Sequence, residues 1–356
     1  MRADPSTTEV IAPNLKRRYS GVTSTVVRLV PVQARSIGIA TAGPRLPGDL
    51  PRLSLARILT MQRSGPNGPR VWHARRNTEM LAGLALRTFL RKNLKLLFTS
   101  AAQRRHTGYT RRLIARMDAL VATSDKAASW LDRPAQVIRH GVDAEMFRPP
   151  DDRRSLRHAL NLPVEGRLVG CFGRLRPQKG TDLLVSALID TLPRHPDTTA
   201  ILMGGVTRPF EPFVGGLRAQ IAAAGLTERI RILPEDTGFS IARWFQALDL
   251  YVAPARWEGF GLTPLEAMAC GVPVIATRVG AFEELVADGE TGRLVPPDAA
   301  ALLAEAIDRA LGDPETLARW AAACRPRVLD GFRIEDEAAA LVALYRALID
   351  GPRGTG

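Results

Sequence analysis

Two short stretches hold residues whose types and spacing can do chemistry. "EGFGLTPLEAMACG" begins at residue 258 and sets Glu258 and Glu266 around Gly259, Phe260, Gly261 and Leu262, with no other charge in the segment. Carboxylates placed this way are either buried or offered to a ligand rich in hydroxyls, since an ionised carboxylate only accepts hydrogen bonds and a vicinal diol donates two. The bare amides of 259–262, at the start of a helix, suit a phosphate or a sugar oxygen. The plain alternative is that Thr263-Pro264-Leu265-Glu266 forms a capping box with proline at the first helical position, while Gly259 and Gly261 only turn the chain. This loop alone leaves both open. The second stretch, "GCFGRLRPQKG" (170–180), runs from a strand into a helix with Arg174 and Lys179 on the connection. It reads either as a solvated basic loop or as the pair of cations that a departing diphosphate needs. Gly173 and Gly180 permit close backbone approach.

Positioning such loops requires strands that end together. Short β-rich runs alternate with helical patterns along the whole chain, which predicts βαβ units around parallel sheets. In the first half the candidate strands are "TEVIAP", "GIATAG", "VWHA", "KLLFTS", "ALVATS" and "AQVIRHG"; in the second they are "RLVGCFG", "TAILMGG", "RIRILPE", "DLYVAPA" and "VPVIATRV". From Asp298 onward the chain is Ala/Leu-rich and helical. The polar, proline-bearing "RPPDDRR" at 148–154 reads as an interdomain linker. The expected organisation is a domain over 1–150, a second over 151–330, and a C-terminal helix over 331–356 packing back toward the first. The fold class is α/β, two doubly wound domains facing across a cleft, with ligands at the carboxyl ends of the strands.

A chain of 356 residues exceeds what one core organises, in keeping with two domains. The N-terminal "MRADPSTTEV" has no apolar core of a secretory signal, and no apolar run approaches the ~18 residues of a membrane span. Cys171, Cys270 and Cys324 are an odd, widely spaced set, expected as reduced thiols in the cytoplasm and without metal-site spacing. Charge is unevenly spread: residues 1–150 hold 26 Lys+Arg against 9 Asp+Glu, a net of +17, and residues 151–356 hold 23 against 27, a net of −4. The first half should therefore attract something acidic, whether nucleic acid, anionic lipid or an acidic sugar. A basic nucleic-acid-binding protein is a reading of another class, but the basic half lacks aromatic stacking runs or a recognised binding motif, so no nucleic acid is expected.

Taken together, Arg174 and Lys179 in R-x4-K, Glu258 and Glu266 in E-x7-E, the continuation "GVPVIATRVGAFEELVADGETGRLVPPD" and "VIRHGVDAEMFRPP" (137–150) resemble the retaining glycosyltransferases of family 4, with the GT-B fold of two Rossmann-like domains. The resemblance covers most of 137–312, with four motifs in order. It implies that Arg174 and Lys179 hold the nucleotide-sugar diphosphate, that Glu258 contacts the donor sugar with the amides of Gly259, Phe260, Gly261 and Leu262 beside it, and that Glu266 binds the ribose diol. Transfer would retain the anomeric configuration without a metal, which agrees with the lack of an Asp-x-Asp pair in the sequence.

In the first half, "NLKRRYSGVTST" (14–25) places Lys16, Arg17, Arg18 and Gly21 where the family has a glycine-rich loop, although Ser20 stands in place of its usual second glycine. These residues are candidates for acceptor binding or a solvated charge run. His73 and His106 are further acceptor-side candidates, while a lone histidine at a strand end is more often structural. "EVIAPNLKRRYSGVTSTV", "VWHARRNTEM" and "LLFTSAAQRRHTGYTRRLIARMDALVATS" are most similar to the lipopolysaccharide-core mannosyltransferases of this family. That resemblance implies GDP-mannose as donor, a Kdo residue on lipid A as acceptor, and an enzyme peripheral on the cytoplasmic face of an anionic membrane. Kdo is a carboxylated sugar on a phosphorylated lipid, and the +17 half has the right sign for it.

Overall fold

The computed structural model describes residues 2–17, 21–44, 46–236 and 240–351. The chain forms two compact units, Met1–His140 with Ile334–Gly356, and Gly141–Arg333. In the first, β1 (Val10–Pro13), β2 (Ile39–Ala42), β3 (Arg52–Leu53), β4 (Arg70–Ala74), β5 (Leu94–Ser100), β6 (Ala119–Ala122) and β7 (Gln136–Val137) form one parallel sheet in the order β3-β2-β1-β4-β5-β6-β7. In the second, β8 (Arg167–Phe172), β9 (Thr198–Met203), β10 (Ile230–Leu233), β11 (Leu250–Ala253), β12 (Val274–Thr277) and β13 (Gly292–Val295) form another, ordered β10-β9-β8-β11-β12-β13 and again parallel. Both orders are those of doubly wound α/β sheets.

The strands are apolar on both faces because helices cover both, and the period of two decides which residue goes where. In the first sheet Val10, Ala12, Val71 and Leu97 face one core, while Ile11, Trp72, Leu96 and Phe98 face the other. In the second, Val169, Cys171, Leu202 and Val252 face one side, and Leu168, Phe172, Met203, Tyr251 and Ala253 the other. The short β3 and the late β13 were not among the strands expected from sequence. Arg52–Leu53 is only two residues long, and "GRLV" at Gly292–Val295 carries a glycine and an exposed arginine.

The division between units falls at His140/Gly141, ahead of the boundary at 150 read from the sequence. Val142 and Phe147 sit in the second unit's core, and Val142 N–H donates to Phe332 O at 2.9 Å. The segment expected as a linker begins a helix instead: Asp152 caps Arg153–Ala159 by accepting from the amides of Arg154 and Ser155. Local polarity and proline suggested a break; long-range burial of Val142 and Phe147 decides otherwise.

The last helix, Ile334–Asp350, belongs to the first unit and buries Ile334, Ala338, Leu341, Val342, Tyr345 and Ile349 against the face that carries Val10 and Val71. Beneath it lies a buried polar chain. Tyr345 Oη lies 2.6 Å from His73 Nδ1, His73 Nε2 lies 2.6 Å from Thr99 Oγ1, and Gln33 Nε2 donates to Tyr345 Oη at 3.2 Å. A neutral imidazole with its proton on Nε2 satisfies this arrangement. Nearby, His140 Nδ1 pairs with Glu337 at 2.7 Å, tying β7's exit to the same helix.

Burial holds the His73 imidazole well below its ordinary range, with the neighbouring Arg75 and His140 pushing the same way. The unfolded chain therefore binds a proton that the folded one refuses. The stability this contributes is present above the unfolded value of about 6.5 and is lost as pH falls below it. Melting curves from pH 7.5 to 5.0 should show Tm falling below about pH 6.5, and His73→Gln should flatten that segment. Equal slopes in the two proteins would show that another group governs this range.

Candidate active site

In the second sheet β8 and β11 are neighbours, yet the chain leaves β8 toward β9 on one side and β11 toward β12 on the other. Such a switch point opens a crevice at the carboxyl ends of the two strands. Both motif loops end there. The loop after β8 carries Gly173, Arg174 and Leu175, then a single 3-10 turn, Pro177–Lys179, which stops at Gly180. Gly180 has φ +68°, and a Cβ on it would come within 1.8 Å of Pro254 O. Only glycine lets the two loops lie this close.

That approach brings Lys179 to Glu258. The Lys179 ammonium is ion-paired with the Glu258 carboxylate, and both are largely sheltered. Glu258 Oε1 also accepts from the Gly259 amide at 3.0 Å. Behind it, Gly261 has φ +86°, and a Cβ there would lie 2.3 Å from the Phe282 ring and 2.9 Å from Glu258 Cγ. Phe260 is turned into the core, so its ring is closed to a ligand. A small cavity of about 20 Å³ runs among Gly173, Arg174, Lys179, Glu258, Tyr251 and Thr263. Burial pushes the Cys171 thiol on its wall up to about 12, against a small opposing pull from Lys179, so this sulfur is an unreactive thiol at neutral pH.

One residue that the sequence reading left without a role joins the two loops. Arg256 donates through Nη1 and Nη2 to both oxygens of Asp182, at 2.7 and 2.8 Å, and through Nη1 to Pro177 O and Nε to Asp298. Its own amide donates to Gln178 O at 2.9 Å, and Gln178 Nε2 donates to Trp257 O at 3.2 Å. Burial would raise the Asp182 carboxyl, but the Arg256 fork outweighs it and holds the group below its ordinary range. The loop that carries Lys179 is thus laced to the loop that carries Glu258.

A family model described as glycosyl transferases group 1 matches residues 152–327, the unit that holds this site. The chain is also 49% identical over 346 residues to the lipopolysaccharide core biosynthesis mannosyltransferase LpsB of Rhizobium meliloti, covering 96% of this chain and 98% of the relative. It is 50% identical over 348 residues to the lipopolysaccharide core biosynthesis mannosyltransferase LpcC of Rhizobium leguminosarum bv. viciae, covering 97% and 98%. This protein is a group 1 glycosyltransferase. Among solved structures, that of Anabaena Alr3699/HepE in complex with UDP aligns over 96% of this chain and all of the other with a TM-score of 0.83, at 20% identity, which supports the GT-B fold.

The remaining candidates of the glycosyltransferase fall into place unevenly. The helix after Glu258 starts at Leu262 with Gly261 as its N-cap and no side-chain cap bond. Thr263 is therefore not the capping residue, and Pro264 stands in the third helical position. The capping-box reading of Glu266 fails because the helix begins ahead of Thr263, whose hydroxyl turns to Tyr251. Glu266 itself is 7% exposed, one turn into the helix. In the first unit, Lys16 and Arg17 are exposed on the loop after β1, Gly21 opens the helix Gly21–Gln33, and Arg18 lies outside the described residues. His73 is fully buried with both ring nitrogens engaged, so it supports the core rather than an acceptor. His106 is half-buried past the end of β5, its Nε2 3.1 Å from Ser100 Oγ, with burial holding it below its ordinary range. Among the described residues no three His, Cys, Asp or Glu side chains could together hold a metal ion.

Because Arg256 acts by holding the two loops together, Arg256→Ala should weaken nucleotide binding about tenfold, with the fold retained. Arg256→Lys should not rescue it, since an ammonium cannot make the two-pronged contact with Asp182. Calorimetric titration with nucleotide, alongside a melting curve, checks this; rescue by lysine would mean that charge alone suffices.

Proposed function

We propose that this glycosyltransferase moves mannose from GDP-mannose to a Kdo residue of the lipopolysaccharide inner core, with retention at the anomeric carbon and without a metal. The observation that carries this reading is the near-full-length identity of about half to two proteins named lipopolysaccharide core biosynthesis mannosyltransferases, which extends through the basic first half. The chemistry of the second unit is in keeping with it.

The Lys179–Glu258 pair is a pair of opposite charges waiting for better partners. A diphosphate arriving over the β8 loop competes for Lys179, with Arg174 beside it. Release of Lys179 frees Glu258 to accept from the hydroxyls of the donor sugar. The amides of Gly259 and its neighbours through Leu262 line the same turn, and Glu266 takes the ribose diol. As the bond from C1 to the phosphate oxygen breaks, the negative charge that grows on GDP is met by Arg174 and Lys179. The acceptor hydroxyl attacks C1 from the face the nucleotide leaves, and its proton passes to the departing phosphate. Held cations and amides do this without reorganising at the moment of reaction, which is where such sites gain most.

The first half's net +17 suits an acceptor anchored in an anionic bilayer, where each Lys or Arg near the surface contributes about 1 kcal/mol. Among the described residues no helix is long and apolar enough to cross a membrane. We read the enzyme as a peripheral protein on the cytoplasmic face.

Turnover with a panel of GDP-, UDP- and ADP-sugars on a Kdo-bearing lipid acceptor tests the donor and acceptor together; GDP-mannose should be the productive donor, and a chelator should leave its rate unchanged. Arg174→Ala or Lys179→Ala should lower kcat by about 10²–10³. Near-wild-type kcat in either folded variant would remove the proposed role. Glu266→Gln should weaken GDP binding while leaving the melting curve in place. Co-sedimentation should occur with anionic liposomes at low salt and disappear at high salt, as screening predicts.

A further inference from the structure

The first sheet has an opening beside Arg17, one of the acceptor-side candidates. At the carboxyl ends of β1, β2 and β3 lies a hollow of about 1020 Å³, with Arg2, Arg17 and Arg52 on its walls between Leu15, Leu53 and Leu55. Arg2 is held against β3, where the Ala3 amide donates to Arg52 O at 3.0 Å. Arg52 Nη2 donates to Gly43 O at 2.6 Å, which fixes its guanidinium at the rim. Among the described residues none of these three arginines is in an ion pair, whereas Arg76, Arg87, Arg111 and Arg139 of the same unit each face a carboxylate. Three guanidiniums on the walls of one hollow, none of them facing a carboxylate among the described residues, leave their N–H donors for an anion.

The backbone next to the hollow is held in place. Asn14, 1% exposed, accepts at Oδ1 from Thr23 Oγ1 at 3.0 Å and from Arg76 Nη1 at 2.8 Å, and Arg76 is in turn paired with buried Glu79. Gly43 has φ +130°, and a Cβ on it would stand 2.0 Å from Asn14 O, so the exits of β1 and β2 are locked together. Binding therefore has little backbone left to order, and only side chains at the rim need settle.

We propose that this hollow binds an oxyanion of the acceptor, a carboxylate or a phosphate borne on its saccharide, with Arg2, Arg17 and Arg52 as the recognising side chains and the leucines against the sugar or its apolar neighbour. This rests on the reading of the acceptor as an acidic glycolipid, and it assigns that recognition to residues of the first unit. Guanidinium groups present paired N–H donors that match both oxyanions.

The full-length enzyme and a variant with Arg2→Gln, Arg17→Gln and Arg52→Gln are titrated calorimetrically with inorganic phosphate, with the methyl glycoside of Kdo, and with that glycoside reduced to the alcohol at its carboxyl. The wild type should bind phosphate or the carboxylated glycoside, the variant at least about tenfold more weakly, and the alcohol should bind neither. Preference for phosphate over the glycoside assigns a phosphate; the reverse assigns the sugar carboxylate. On the lipid acceptor, the variant should raise the acceptor KM at least about tenfold while the KM for GDP-mannose holds. Arg17→Gln alone, which removes no hydrogen bond of the fold, gives the same direction if the triple variant does not fold. Equal binding of the anions by wild type and variant, or none by the wild type, overturns the proposal. Should the wild type fail to turn over the lipid acceptor, the mannosyltransferase reading falls, and the three titrations still decide the hollow.

Discussion

Much of the second unit's chemistry rests on one backbone approach, that of Gly180 to the carbonyl of Pro254. A methyl group there would sit 1.8 Å from that oxygen, at a backbone angle that side-chain-bearing residues rarely adopt. Because the two loops can touch, Lys179 reaches Glu258 across 79 residues of sequence, and Arg256 can lace the turn that carries Lys179 to the strand end that carries Glu258. In the proposed reading, loops held further apart would leave a diphosphate and a sugar with only half of their partners each.

The ion pair also explains how a strongly charged site stays stable without ligand. A part-buried lysine and glutamate left apart would each carry a desolvation cost, and pairing offsets it. In the proposed reading, donor binding would exchange one set of charge contacts for another instead of creating them anew, and would leave the cations for the charge that develops on the departing nucleotide. Tyr251 holds the geometry from below: its hydroxyl donates to Phe172 O at 3.2 Å and accepts from the Phe172 amide at 3.3 Å, so the ends of β8 and β11 are pinned side by side.

The first unit solves a different problem. It is rich in arginine, and several of its arginines are spent on backbone: buried Arg70 donates to Thr8 O, Gln62 O and Pro5 O, and Arg133 donates to Ile114 O and Met117 O. The net charge of the half is therefore not all available to a partner. The hollow between β1, β2 and β3 differs because its arginines are turned outward with at most one carbonyl contact among them. The C-terminal helix returns to cover the opposite concern, a polar chain through His73 and Tyr345 that is tolerable in a core because its members are hydrogen-bonded to one another.

By itself the sequence determined the alternation of strands and helices, the two sheets and the loops that matter, because periods of two and 3.6 and the glycines of turns are local properties that each stretch carries alone. Among the described residues, every strand but β3 and β13 lies within a run read from it or exceeds that run by one residue, and R-x4-K and E-x7-E mark the two strand-end loops of the candidate site. Only the tertiary structure decided that Lys179 pairs with Glu258, that Arg256 joins their loops, that Val142 and Phe147 carry the unit boundary to His140, and that His73 is a core residue. It also moved the start of the Glu266 helix to Leu262, where the φ of Gly261 and the Phe282 ring behind it outweigh the local capping preference of Thr263. The reason is common to all of these: each depends on which distant residues come to lie within a few ångströms, and no local pattern encodes that distance.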